Sequence, residues 1–268
     1  MLVFRKDWRE IRRNWLVILP IVGIPLIFSV LLPLLIALVP RVASLPASPL
    51  GGLEAIVNNL PSQVRVELAG MSSRSVLFYL TSLYFLAPFF LIIPLLASSV
   101  IASDSFAGEK ERRTIEALLA TPLSDSELFL GKILVSFIPS MIVTMISFLI
   151  YSVVVDFLSF SVFSGRLLLP NITWILLIFG LAPSVALATI GLTVMISAKV
   201  KGFKEAQQIS ALLLLPILLL MFGQISGAII FGPVVVGALI GVFAILDLLV
   251  FRLGLRLFRR EEILAKLA

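Results

Sequence analysis

The chain has 268 residues, of which 60% are hydrophobic and 13% charged, and its mean hydropathy is +1.16. Because soluble domains carry about 25% charged residues, this composition excludes an ordinary soluble protein. The chain contains neither cysteine nor histidine, which excludes disulfide bonds, thiolate chemistry and metal sites built from these residues. The net charge of +6 does not call for a nucleic-acid partner, because Lys and Arg collect on the cytoplasmic loops of membrane proteins.

The first 14 residues predict a helix that lies in the membrane interface. With ~3.6 residues per turn, Phe4, Trp8, Ile11 and Trp15 form one apolar stripe, and the arginines of the segment lie away from it. Aromatic side chains at the headgroup boundary and cations in water are typical of an interfacial anchor. The alternative is a positively charged anchor that continues directly into the first membrane span.

Six apolar runs are long enough to cross a bilayer, which takes about 20 residues in a helix. Only helices satisfy the backbone of such runs in lipid, so we expect an all-α integral membrane protein with a single transmembrane domain over residues 1–268. The predicted spans cover about residues 15–39, 76–102, 128–155, 172–197, 206–224 and 228–251. We expect residues 40–75 to form an outer loop, 103–127 a polar connection between the second and third spans, and 252–268 a tail.

The distribution of positive charge predicts which loops face the cytoplasm. If the N-terminus is inside, 17 of the 21 Lys and Arg residues fall on the cytoplasmic side. Positive charge marks the cytoplasmic loops, so both termini and residues 103–127 are predicted to be cytoplasmic.

A charged segment follows the second span. Residues 109–120 are good helix formers, with pairs of opposite charge four residues apart, Glu109 with Arg113 and Arg112 with Glu116. The next proline ends this helix, and an S-x-x-E capping box then starts the third span. Such a helix suits docking to a soluble partner, but a solvated connector has the same composition.

The third span carries five polar side chains within a narrow arc of the helix. They are either hydroxyl contacts between helices or the lining of a passage for an amphipathic substrate. The residues are Ser136, Ser140, Thr144, Ser147 and Tyr151.

The sequence gives little support for ATP binding, a metal site or ion-coupled transport on this chain. No G-x-x-x-x-G-K-[ST] phosphate loop is present, and Gly131-Lys132 is a chance dipeptide on a span. The acidic residues of the charged segment alternate with cations, which argues against a metal site. The spans contain almost no ionisable residue of the kind that ion-coupled carriers use. Asp247 is the exception: it is either a carboxylate that pairs with nearby Arg252, which we expect, or part of a proton relay.

The segment SDSFAGEKERRTIEALLATPLSDSELFLGKIL, residues 103–134, closely resembles the signature region of type-2 ABC transporter permeases. The six spans, the amphipathic N-terminus and the FKEAQQ segment at 203–208 look similar too. The resemblance implies that residues 109–120 form a coupling helix on a nucleotide-binding subunit, with a second contact near residues 199–208. The implied docking residues are Glu109, Lys110, Glu111, Arg112, Arg113, Ile115, Glu116, Leu119, Lys201 and Lys204.

The same resemblance implies a transport subunit rather than an enzyme. ATP and magnesium would be bound by separate ATPase subunits, with no cofactor on this chain, and two permease chains would form a pair in a prokaryotic plasma membrane. The apolar spans suggest export of a hydrophobic or amphipathic substrate. The alternative function is a stand-alone carrier or channel without an ATPase.

Overall fold

A computed structural model describes residues 15–42, 65–66, 68, 70–112, 114, 125–160, 163, 165–200, 202–226 and 228–257. Within this part of the chain the fold consists of long helices without any strand. Helices α1 to α6 cover residues 15–42, 73–111, 125–159, 172–199, 203–225 and 233–257. Each contains a stretch long and apolar enough to cross a membrane, which confirms the prediction of an all-α protein with six spans.

The predicted N-terminal anchor falls largely outside the described residues. Phe4, Trp8 and Ile11 belong to that part of the chain, and Trp15 is the first residue of α1. The interfacial helix therefore stays a prediction, as does the conformation of most of the outer loop.

Among the helix boundaries that differ from those expected from the sequence, two have a clear structural reason. Helix α2 continues through residues 103–111, which we had assigned to the polar region between the second and third spans. It continues because several of these residues are buried against partners inside the protein, as detailed below. Helix α6 begins at Pro233 rather than near residue 228, since a proline at the first helical position has no amide N–H to lose.

Three of the helices contain a widened, π-type turn that a proline explains. The widened turns are Ile27–Leu31 in α1, Thr81–Phe85 in α2 and Leu177–Leu181 in α4. Each of these widened turns is followed by a proline, at Pro33, Pro88 and Pro183. The carbonyl group four residues before each proline lies within the widened turn. Proline has no N–H and its ring clashes with that carbonyl, so the helix widens locally.

The widened turn of α2 anchors the aromatic core. Tyr151 donates its hydroxyl hydrogen to the carbonyl of Ser82, and Trp174 Nε1 donates to the carbonyl of Leu83 over 2.9 Å. The two rings stack at a centroid distance of 4.9 Å, and the ring of Phe90 meets the Trp174 ring edge-on at 5.0 Å. Turn carbonyls of α2 are therefore bonded by side chains of α3 and α4.

Helix α2 lies at the centre of the bundle. In its most apolar stretch 78% of the residues are buried, compared with 17% in α1 and α5 and 11% in α6.

Helices α4 and α6 approach closely where glycines on α4 leave space for side chains of α6. A Cβ atom at Gly191 would lie 2.2 Å from Cγ1 of Val250, and one at Gly180 would lie 2.5 Å from Cδ1 of Ile240.

Candidate functional site

A buried ion pair joins the end of α2 to the start of α3. Lys132 Nζ donates a hydrogen bond to Glu109 Oε2. Lys132 is completely buried and Glu109 is 1% exposed. Two buried charges stabilise a fold only when they are well paired, because each loses its hydration. This pair therefore fixes the relative position of the two helices on either side of the charged segment.

Lys132 also explains the fourth widened turn, Asp104–Gly108, which no proline follows. Its Nζ donates to the backbone carbonyl of Ser105 and lies 4.6 Å from the centroid of the Phe106 ring. A side chain that bonds a helix carbonyl in this way replaces part of the regular ladder. The ammonium group thus has a carboxylate, a carbonyl and an aromatic face around it.

Arg112, just after the end of α2, pairs with an aspartate of the same helix. Arg112 Nη1 lies 3.2 Å from Asp104 Oδ1, and the arginine side chain is partly exposed whereas the aspartate is buried. Gly108 lies beneath the pair, where a Cβ atom would be 2.9 Å from Asp104 Oδ1. The helix ends here, and the N–H of Thr114 bonds back to the carbonyl of Glu109 over 3.0 Å.

The two residues between these pairs reach the short connection that joins α4 to α5. Lys110 Nζ donates to the backbone carbonyl of Val200 over 3.0 Å. Glu111 Oε2 accepts a hydrogen bond from the backbone N–H of Phe203 over 2.9 Å. Four consecutive charged residues, Glu109 to Arg112, therefore bind α3, the end of α4, the start of α5 and α2 itself. We call the bundle end at residues 109–112, 200 and 202–204 the charged end.

The structure separates the predicted docking residues into three groups. Glu109 is buried in its ion pair, so its carboxylate is not accessible to a docking subunit. Glu111, Arg112 and Lys204 are exposed at the charged end, and Lys110 is half-buried beside them. The remaining predicted residues lie outside the described part of the chain; these are Arg113, Ile115, Glu116, Leu119 and Lys201.

Sequence analysis missed the role of Lys132. Its partner Glu109 precedes it by 23 residues, across a segment that the sequence presents as a polar connection. The available signal was a single lysine at the start of an apolar run, and such a residue is costly unless it is paired.

The five polar residues of the third span all lie buried on α3. The four hydroxyls of Ser136, Ser140, Thr144 and Ser147 donate to backbone carbonyls of α3 itself, and Tyr151 donates to α2. Hydroxyls bonded in this way have their hydrogen engaged within the helix. Of the five residues, only Tyr151 bonds a neighbouring helix within the described part of the chain, so the choice between helix packing and the lining of a passage stays a prediction.

Other buried hydroxyls have no hydrogen-bond partner in the described part of the chain. These hydroxyls are distributed over α1 to α5, at Ser29, Ser82, Ser103, Ser152, Thr193, Ser197 and Ser210. Buried polar groups in proteins are almost always bonded. Four of the seven, at residues 103, 193, 197 and 210, lie on α2, α4 and α5. The sequence contains no pattern that would have singled them out from the α3 hydroxyls.

The expected pairing of Asp247 with Arg252 does not form. Among the described residues, Oδ1 of Asp247 is buried without a hydrogen-bond partner and no ion pair joins the two side chains. The prediction relied on their spacing on one helix, but five residues along an α-helix turn the two side chains to different faces.

Comparison with protein families decides the identity of this bundle. A family model described as ABC-2 family transporter protein matches residues 1–258. The chain belongs to the ABC-2 transporter family. Searches of curated proteins and of solved structures found no match. As an ABC-2 family protein with six apolar helices, it is a multi-pass membrane protein, and the family indicates a transport subunit rather than an enzyme.

Proposed function

We propose that this ABC-2 family protein is the membrane-spanning permease subunit of an ATP-driven exporter. It works as a pair of permease chains with separate nucleotide-binding subunits, which bind ATP and magnesium, in a prokaryotic plasma membrane. The family match carries the proposal, and the concentration of charge at one end of an otherwise apolar bundle supports it. The excess of Lys and Arg on that side supports a cytoplasmic charged end and cytoplasmic termini.

The charged end is the surface on which the ATPase docks in this proposal. Glu111, Arg112 and Lys204 are exposed there, and the chain leaves α2 at Arg112 to form residues 113–124 before it returns in α3. Arg113, Ile115, Glu116, Leu119 and Lys201 complete the proposed contact. Glu109 holds the surface from inside through its pairing with Lys132.

The cargo is proposed to be hydrophobic or amphipathic. The described spans hold little charge away from the charged end, and the buried hydroxyls between α2, α4 and α5 add polarity without a net charge. A small hydrated ion needs charged or carbonyl-lined coordination along its path. Stimulation of ATP turnover by amphipathic compounds, compared with inorganic salts, tests this assignment.

Co-purification with the ATPase tests the proposed function. The chain is expressed with the ATPase encoded beside it and purified by a tag on this chain, and co-elution and ATP turnover are measured. We expect Arg113→Glu with Glu116→Arg to lower the amount of bound ATPase ~5- to 30-fold, which corresponds to 1–2 kcal/mol. The matched control is Arg166→Ala, which removes an exposed charge from the opposite end of the bundle.

The outcome separates this function from the alternative. If the unmodified chain purifies without an ATPase and moves solute in vesicles without ATP, it is a stand-alone carrier or channel. If the charge reversals and the control variant retain equal amounts of ATPase, residues 113–116 do not form the docking surface.

A further inference from the structure

The start of α5 lacks a cap from its own segment. Helix α4 ends at Lys199, and α5 begins at Phe203 after Gly202, which has no side chain to bond the first amide groups. The first N–H groups of a helix have no partner within it and need one from elsewhere. Glu111 of α2 supplies that partner, because its Oε2 accepts from the N–H of Phe203 over 2.9 Å.

The neighbouring residue binds the other helix terminus. Lys110 Nζ lies 3.0 Å from the carbonyl oxygen of Val200, one residue after the last residue of α4. A cation is favoured at a helix C-terminus and an anion at a helix N-terminus, because the peptide dipoles add along the axis. Two adjacent residues of α2 thus give each helix end the charge that it favours.

The turn between α4 and α5 has space for the Glu111 carboxylate because residue 202 is a glycine. A Cβ atom at Gly202 would lie 2.7 Å from Glu111 Oε2 and 3.1 Å from its Cδ atom. Gly202 has φ −157°, an extended conformation that any residue adopts, so space for the carboxylate is the reason for a glycine here. Below the polar contacts, Ala107 of α2 packs with Val200 and Ala206 in a small buried apolar cluster.

Helix α5 packs against the bundle along a narrow face. Only 17% of its apolar stretch is buried, so most of its side chains face away from the bundle. The contacts of its first turn are therefore important for holding it against the centre of the protein.

We propose that Lys110 and Glu111 are positioning residues that form a clamp between the charged segment and the turn between α4 and α5. The clamp makes the end of α2 and the start of α5 move as one unit when a docked ATPase displaces residues 112–124. The source of that displacement rests on the proposed function, whereas the contact itself belongs to this chain alone.

Hydrogen exchange on the purified chain tests the contact. Glu111→Ala removes the acceptor of the Phe203 N–H, and we expect this amide to exchange roughly 10- to 100-fold faster, as for loss of a hydrogen bond to a charged group. The matched control is Glu205→Ala, which removes an exposed carboxylate from the same turn of α5. Equal exchange in all three proteins would overturn the clamp.

A reversible covalent link tests whether the clamp transmits motion. The chain has no cysteine, so Glu111→Cys with Gly202→Cys introduces its only pair. The Cβ position at Gly202 lies 3.7 Å from Cγ of Glu111, the atom that a cysteine sulfur replaces. In the complex with the ATPase, we expect the reduced double variant to lose at least ~5-fold in kcat for ATP with unchanged KM. Oxidation is expected to restore kcat, whereas Glu111→Cys alone stays low under both conditions.

Each result has a defined meaning. Failure of the disulfide to form, normal turnover when it is reduced, or low turnover after it has formed would overturn the clamp. If no ATPase binds the unmodified chain but Glu111→Ala still accelerates exchange at Phe203, the proposed function fails and the contact stands.

Discussion

Replacing Lys132 with methionine tests the contribution of the buried ion pair directly. Methionine keeps an unbranched apolar side chain but removes the ammonium group, leaving the Glu109 carboxylate 1% exposed and without its cation. Breaking a buried pair by removing one partner costs ~3–5 kcal/mol, because the remaining charge stays buried and uncompensated. The loss includes the hydrogen bond from Lys132 Nζ to the Ser105 carbonyl.

The expected change in thermal stability is large. For chains of this approximate size, 1 kcal/mol shifts Tm by ~2–4 °C, so Lys132→Met is expected to lower Tm by ~6–20 °C. Tm is measured in one detergent from the loss of the monodisperse peak after heating. Lys204→Met, at an exposed lysine of the charged end, is the matched control and is expected to change stability by less than ~0.5 kcal/mol.

A second variant distinguishes loss of pairing from loss of packing. In Glu109→Leu with Lys132→Met both charges are gone, and apolar replacement of a buried pair is often neutral or stabilising by ~1–4 kcal/mol. We therefore expect the double variant to be more stable than Lys132→Met alone. Unchanged stability of the single variant, or additive losses in the double variant, would refute the ion-pair argument.

Three further variants probe packing and polarity in the membrane. Gly191→Ala forces a methyl group against Val250 and is expected to destabilise the protein by ~1–3 kcal/mol in the same assay. The control is Gly237→Ala, whose new Cβ meets no atom of another element within 4 Å in the described part of the chain, and it is expected to leave stability unchanged in a single copy. Thr193→Val removes a buried hydroxyl without a partner and is expected to stabilise by up to ~1–3 kcal/mol; retained stability with lost ATP turnover would instead assign the hydroxyl to the cargo. Tyr151→Phe leaves a buried α2 carbonyl without its side-chain donor and is expected to cost ~1 kcal/mol, so a Tm equal to that of the unmodified chain would contradict the role of the widened turn.

The fold was predictable because apolar runs of span length specify helices in lipid almost regardless of detail. The end of the second span was not predictable from hydropathy. Hydropathy falls at the first charges after Ser103, yet the helix continues to Glu111 because Asp104 and Glu109 are buried with partners. A sequence reading treats each charge as solvated, and only the tertiary structure pairs it.

The charged segment was identified from the sequence, but its contact with α3 was not. Spacing on a helix cannot show that Glu109 pairs with Lys132 on another helix. The predicted pairing of Glu109 with Arg113 stays a prediction, because Arg113 lies outside the described residues. The helical period correctly placed Ser140 and Thr144 on a common face, since that argument needs only local geometry. The direction of their hydrogen bonds, back to the α3 carbonyls, depends on side-chain conformation and is not written in their spacing.

The ion pair between α2 and α3 and the bond between α2 and α5 become possible at different times during synthesis, because α3 precedes α5 along the chain. Glu109 and Lys132 belong to consecutive spans, so their pairing becomes possible as soon as α3 has been synthesised. The bond from the Phe203 N–H to Glu111 requires α4 and the start of α5 as well. During insertion, a helical hairpin of α2 and α3 thus shields its two most costly charges first. The attachment of α5 is a later step, and a chain that stops after α4 retains the hairpin but leaves the Glu111 carboxylate without its backbone donor.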